Sequence, residues 1–306
     1  MYRTWVILRH TFLDTVVQPI YTLLLGLGAA VIIIFALLPF FTLGEDTVMF
    51  KSVCLDVVLV ITLIATLFMT SKAIYEEVED RTMLNLMSKP VKRREVLIGK
   101  YLGIILAALV AIVVMGAILM VCTYWRIPAD YQMRVDTLDD TERARIFDMR
   151  LMHLTGLALS LFLAWMQVSV LAAIGVALST RFSLVVNLPA VILLYVAGNL
   201  TRFLQPIWGD IPGSALEGRL PIVKGIAQVI SIILPYLGSF DLREATVTGQ
   251  IAIPGTSFAN YPQAIALSTL FGQISLAGAY ALCYVTLALA MGLFLFHNRE
   301  LGGAES

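Results

Sequence analysis

Charge is scarce in this chain: Asp, Glu, Lys and Arg make up only 14% of its 306 residues, with 21 basic against 21 acidic. Soluble domains carry about 25% charged residues. The zero balance does not indicate a nucleic-acid surface, and no nucleic-acid partner is expected. Cysteine is also sparse. Cys54, Cys122 and Cys283 lie far apart inside apolar runs, a pattern that makes neither a disulfide framework nor a zinc site. The three histidines, His10, His153 and His297, fall in separate segments, and no H-E-x-x-H occurs. His10 and Asp14 are four apart and can share a helix face, which reads as a surface contact. A phosphate-binding loop is missing too. Its pattern is G-x-x-x-x-G-K followed by Ser or Thr, so that amides and the Lys cradle phosphates. Here Gly99-Lys100 is followed by Tyr101, and Arg94 stands at the first Gly position. The chain therefore lacks that route to ATP hydrolysis, and no catalytic residue, metal site or cofactor is assigned to it.

What abounds is apolar surface. Hydrophobic residues reach 59%, against about 45–50% in soluble domains. Lipid can solvate such a surface where a soluble fold of this size cannot hide it. A helix needs about 20 mostly apolar residues to cross the hydrocarbon, and a central charge costs about 2.5–3.5 kcal/mol. Six charge-poor runs meet that requirement: residues 20–43, 52–71, 101–125, 154–180, 182–201 and a stretch within 264–297. The fold class is thus all-α, a polytopic membrane bundle of about six transmembrane helices forming one domain over residues 1–306. The first run is about twice as long as a signal-peptide core and reads as a retained span. Residues 225–240 are short for a span and contain Pro235. They read as re-entrant or interfacial, with a crossing as the alternative. Non-helical backbone at membrane depth must be shielded by protein or water.

An even number of spans places both termini on one side. The flanking basic residues divide about 11 against 10, so their number does not orient the chain. Their density does. The run from Lys89 through Lys92, Arg93 and Arg94 to Lys100 is compact and abuts a span, whereas the basic residues between Arg126 and Arg150 alternate with acids. Both termini are therefore expected in the cytoplasm of a cell membrane. Residues 1–19 mix Tyr2, Trp5 and Phe12 with Arg3 and Arg9, as suits a helix lying in the interface; a helical extension of the first span is the alternative. Residues 126–153 and 202–263 become outer loops, and the acid-rich start at Asp139 reads as a helix N-terminus.

Residues 72–100 form the cytoplasmic connection between the second and third spans. Their core reads IYEEVEDRTMLNLMSKPVKRREVLIGKYLG over 74–103. Acids open it, Met83, Leu84, Leu86 and Met87 follow, Pro90 breaks any helix, and a basic turn leads into the span. Acidic start and basic end both suit a helix macrodipole. Such a charged knuckle is a handle for a partner protein. It is equally an anchor for anionic lipid, to which each Lys or Arg can contribute about 1 kcal/mol.

The order of these residues resembles the cytoplasmic loop of the type-2 ABC export permeases. In that family, acids precede a Thr, a Pro follows eight residues later, and a basic turn leads to Gly-Lys at a span. Glu77 and Glu79 stand as the acids, Thr82 as the Thr, Pro90 as the Pro, and Arg93 and Arg94 as the turn before Gly99-Lys100. Arg81 replaces the small residue usual before the Thr. Two further segments, Leu234-Pro-Tyr-Leu-Gly-Ser-Phe-Asp241 and Phe296-His-Asn-Arg-Glu300, are similar to the lead-in and basic exit of the last span in that family. The nearest branch is the one that includes permeases for multicopper-enzyme maturation. The resemblance implies a separate ABC ATPase, carrying ATP and Mg, docked on Glu77, Glu79, Thr82, Pro90, Arg93, Arg94 and Lys100. It also implies a second permease chain, identical or not, and transport of an unidentified substrate. A secondary transporter, a non-transporting scaffold subunit and a membrane-embedded enzyme are the competing readings.

Two stripes of small residues remain. Gly99, Gly103, Ala107 and Ala111 recur every four residues, as do Gly156, Ser160 and Ala164. Each lets another helix approach closely, within the bundle or across a dimer seam. Asp56 is the only carboxylate placed inside a run, near one end, where an interfacial position is the alternative to a functional one; Gln167, Asn187, Asn199 and Gln273 are its polar companions. They can bond helices together or line a path. Pro189 predicts a kink in the fifth span.

Overall fold

The computed structural model of the chain describes residues 2–38, 46–79, 92–130, 140–208, 234–248, 251–256 and 264–297. Seven helices dominate them: α1 Tyr2–Val17, α2 Pro19–Leu37, α3 Asp46–Thr70, α4 Arg93–Asp130, α5 Asp140–Ser179, α6 Leu184–Trp208 and α7 Leu267–His297. Five are long and apolar enough to cross a membrane: α2, α3, α4, α5 and α7. In α6 the apolar part is the shorter segment Leu184–Leu200. The chain is therefore a polytopic helical bundle. Its only strands among the described residues are β1 Ile251–Ala252 and β2 Ile265–Ala266, a two-residue parallel pair.

Hydropathy marks where lipid begins, and helices ignore that line. The run expected at 101–125 sits inside the longer α4, and the run at 154–180 sits inside α5, which starts at Asp140. Residues 126–130 and 140–153, expected as outer loop, are thus helical. A helix that satisfies its own backbone has no reason to end at the hydrocarbon boundary.

The α1–α2 junction is a break. Gln18 is extended, at φ −65° and ψ 134°, and Pro19 opens α2. Proline disfavours helical geometry in the residue before it and suits the first position of a new helix. This removes the reading of residues 1–19 as a continuous extension of the first span. α1 turns back and packs on the start of α4. A Cβ on Gly99 would lie 2.9 Å from the Ile7 side chain, and one on Gly103 would lie 2.8 Å from the Leu8 carbonyl. Further along the stripe, Ala107 and Ala111 are buried, and the Tyr21 hydroxyl of α2 donates to the Ala107 carbonyl at 2.9 Å.

α4 is the central post. Val58, Met115, Leu119, Leu157 and Ala172 form the heart of the core that surrounds it, all fully buried. The outer helices point apolar groups away from the protein: Leu23 and Leu37 on α2, Leu193 on α6, Leu276 and Phe294 on α7. Two arginines on α4 fasten neighbouring helix ends. Arg126 donates to the carbonyls of Phe35, Ala36 and Leu38 at the end of α2. Arg93 donates to the Phe296 carbonyl at the end of α7, at 2.7 Å, and lies over the Phe296 ring. Cations suit the partial negative charge of a helix C-terminus. Replacing Arg93 with Ala is expected to cost about 1–2 kcal/mol and to make the end of α7 more sensitive to protease. Limited proteolysis of the purified variant measures this.

Beyond α6 the chain returns to the bundle. Pro235 and Tyr236 are non-helical, a single 3-10 turn covers Leu237–Phe240, and a π-helical turn covers Glu244–Thr248. Shielding comes from the helices. Leu237 and Phe240 are buried, Gly198 of α6 leaves room for the Pro235 carbonyl, and the Tyr280 hydroxyl accepts from the Tyr236 amide at 2.8 Å. The rest of the segment expected as re-entrant, residues 225–233, lies outside the described residues.

Candidate functional site

The knuckle is built at the end of α3 and the start of α4. α3 does not stop cleanly. It widens into a π-helical turn, Ser71–Glu76, and closes with a short turn, Glu77–Glu79. Asn187 of α6 holds that turn, donating to Ser71 at 3.1 Å and to Ser179 of α5 at 2.8 Å. On the other strand of the connection, the Glu95 carboxylate accepts from the Lys92 amide at 3.0 Å. This pattern satisfies one of the open donors at the N-terminus of α4.

The residues named for docking separate into three groups. Lys100 is buried inside the chain; its ammonium donates to the Glu77 carboxylate and to the Ala73 carbonyl. Arg93 is engaged with Phe296. Glu79 and Arg94 are exposed at the same end. Thr82 and Pro90 lie outside the described residues, as do Arg81 and the exit residues Asn298, Arg299 and Glu300. Lys100, Glu77 and Arg93 thus tie α3, α4 and α7 into one block, and Glu79 and Arg94 stand on its surface. α1 and the end of α7 share this end of the bundle, through Gly99 and Arg93 respectively.

Asp56 lies about 15 Å inside α3 from its first residue, at about 1.5 Å per residue. It is not a simple end residue. Its carboxylate accepts from the Arg243 guanidinium at 2.6 Å, and Asp241 lies 3.6 Å from the same side chain. Burial opposes the charge on Arg243, but bonding and attraction to Asp56, with help from Asp241, outweigh it and raise its pKa. A cavity of about 360 Å³ opens beside the pair, between α3, α5, α6 and the returning segment. Gln167 and Asn199 line it with Asp56 and Tyr195. Asn187 belongs to the knuckle instead, and Gln273 is exposed on α7. α6 remains helical through Pro189.

Arg243 and Lys51 were invisible as site residues in the sequence. Lys51 is fully buried; its ammonium lies 2.9 Å from Nδ1 of His153 and donates to the Val247 carbonyl at 2.8 Å. Both cations serve the segment that returns after α6. The one signal was Asp56, a carboxylate in an apolar run that needs a partner. The stripe on α5 meets the same segment. Gly156 faces the Thr246 carbonyl, and Ser160 bonds the Thr246 hydroxyl at 2.7 Å.

No group of three or more His, Cys, Asp or Glu side chains suited to a metal ion occurs among the described residues. His10 and Asp14 form an exposed pair on α1. These features define a multi-pass helical membrane protein with a rigid charged knuckle and a polar cavity within the bundle. The sequence matches the family described as ABC-2 family transporter protein over residues 11–301. The chain belongs to that family. No curated protein matches it.

Proposed function

We propose that this chain is the membrane-spanning permease of an ATP-driven exporter whose ATPase is a separate polypeptide. The observation that carries the reading is the family match, which covers residues 11–301. Family membership makes the chain a membrane subunit and implies an ABC ATPase as partner. The finer reading is ours. The ATPase docks on the knuckle, where Glu79 and Arg94 are exposed and the block beneath them is braced by Glu77–Lys100 and Arg93–Phe296. A push there passes into α3, α4 and α7 together, because one set of contacts joins all three. Two permease chains, identical or not, then form the path. The knuckle and both termini face the cytoplasm, and residues 202–263 face outward. The order of residues in the knuckle supports our assignment to the multicopper-enzyme-maturation branch. A secondary transporter would need no docking surface of this kind.

Cysteine labelling tests the orientation. The background comes from Cys283, which is exposed, so it is first replaced by Ser. An Arg94→Cys variant is expected to react with an impermeant maleimide in inside-out vesicles and to be protected in intact cells. Labelling from the outside of intact cells would overturn the docking assignment and leave the helical bundle standing.

A further inference from the structure

The cavity beside Asp56 is not used by the docking argument, yet it has the features of a ligand site. Its volume of about 360 Å³ falls within the range of about 300–1,000 Å³ typical of small-molecule pockets. Gln167 lines it at 6% exposure. A side-chain amide facing a cavity can bond a polar group that enters it. Asn199 turns its amide nitrogen back, donating to the Tyr195 carbonyl at 2.9 Å. Asp56 and Arg243 are only partly covered, at 53% and 29% exposure, so both charges are accessible. Leu59, Leu163 and Phe240 make the remaining wall apolar.

The Asp56–Arg243 pair, with Asp241 3.6 Å from the same guanidinium and also on the cavity wall, selects the ligand's charge. A ligand with one net charge attracts one partner and repels the other. If it splits the pair, it leaves the opposite charge without its partner, at a Coulombic cost. A molecule with an ammonium and an acid group can exchange with the pair charge for charge. We propose that this cavity binds a zwitterionic amphiphile. Its ammonium faces Asp56, its acid group faces Arg243, Gln167 bonds its polar head, and its tail lies on the apolar wall. Only the role of such a molecule as cargo rests on the export reading.

The test uses the full chain in a non-ionic maltoside, without ATPase. Native mass spectrometry or calorimetry follows binding of lysophosphatidylcholine. The comparisons are an anionic lysophosphatidylglycerol and an alkyltrimethylammonium of matched chain length, together with phosphocholine alone. Lysophosphatidylcholine is expected to bind one per chain, at least tenfold tighter than each of the three. Gln167→Leu should weaken it at least tenfold without lowering the thermal midpoint. Ala164→Phe, which fills the cavity from α5, should abolish it. Equal binding of the singly charged lipids would overturn the charge assignment, and equal binding of phosphocholine would overturn the amphiphile. Unchanged binding in both variants would overturn the site. Association of the unmodified chain with its ATPase is measured separately. Its absence alongside intact lysolipid binding would sink the export reading alone.

Discussion

Replacing Glu77 with Ala will destabilise the protein by about 2–3 kcal/mol, more than replacing its buried partner Lys100 with Met. Breaking a buried ion pair from one side costs about 3–5 kcal/mol, because the other charge is left unmatched. Glu77 is 40% exposed while Lys100 is only 4% exposed. Water can therefore reach the carboxylate side and recover part of that cost. The ammonium has less relief and would keep the Ala73 carbonyl and a longer-range attraction from Asp14. Lys100→Met removes the charge that needs solvation and keeps a flexible apolar stem, so it costs less, about 1 kcal/mol. The double variant should behave like Lys100→Met. Thermal unfolding of the three purified variants in one detergent measures the order. A Lys100→Met midpoint below that of Glu77→Ala would show that the pair is braced differently.

The second large effect is expected at Gly156. A Cβ there would lie 2.0 Å from the Thr246 carbonyl oxygen and 3.0 Å from its carbon. Both are backbone atoms, so no side chain can rotate out of the way. The turn that carries them is held at several points. Lys51 donates to the Val247 carbonyl, Ser160 bonds Thr246, and Arg243 pairs with Asp56. Gly156→Ala must push the turn off α5 or bend the helix, at a cost of about 3 kcal/mol. It should also disturb the cavity, since Arg243 leads directly into the turn. Gly26→Ala is the control. Nothing lies within 4 Å of a Cβ at that position, and Ala is the better helix former by about 1 kcal/mol. Hence Gly26→Ala should hold or raise the thermal midpoint while Gly156→Ala lowers it by several degrees. Equal midpoints would mean that the returning segment is not seated on α5.

The two glycine positions also show what a sequence can and cannot say. A spacing of four small residues announces that something approaches closely, because spacing is local and helical geometry is regular. It does not name the visitor. On α4 the visitor at Gly99 and Gly103 is α1, which brings Ile7 and Leu8 against them. On α5 it is a single π-helical turn from beyond α6. The bundle itself was legible for a similar reason: lipid imposes long charge-poor runs, and those runs can be read without any knowledge of pairing. Ion pairs obey no such rule. Asp56 and Arg243 are 187 residues apart, and Lys51 and Val247 are 196 apart. In the sequence Arg243 is one more charge in a polar loop. Only the fold brings that loop to the middle of α3. The knuckle was half legible. Its charges and its Pro-Lys-Arg order stand in the sequence, but Lys100 and Glu77 read there as surface groups like Glu79 and Arg94. Burial separates them, and burial depends on α3 widening at Ser71–Glu76 to bring Ala73 and Glu77 over α4.

That separation sharpens the experiment on docking. Reversing Glu77 or Arg93 would damage the brace itself, and lost binding would then have two explanations. Glu79 and Arg94 avoid this. The direct measurement is co-purification of the ABC ATPase with the Glu79→Lys, Arg94→Glu double variant, extracted beside the unmodified chain. The unmodified chain is expected to retain the ATPase. The double variant should lose it while keeping its thermal midpoint within about 1 °C, as surface substitutions do. Undiminished recovery of the ATPase with the double variant would contradict the claim that this end of the bundle is where the motor takes hold.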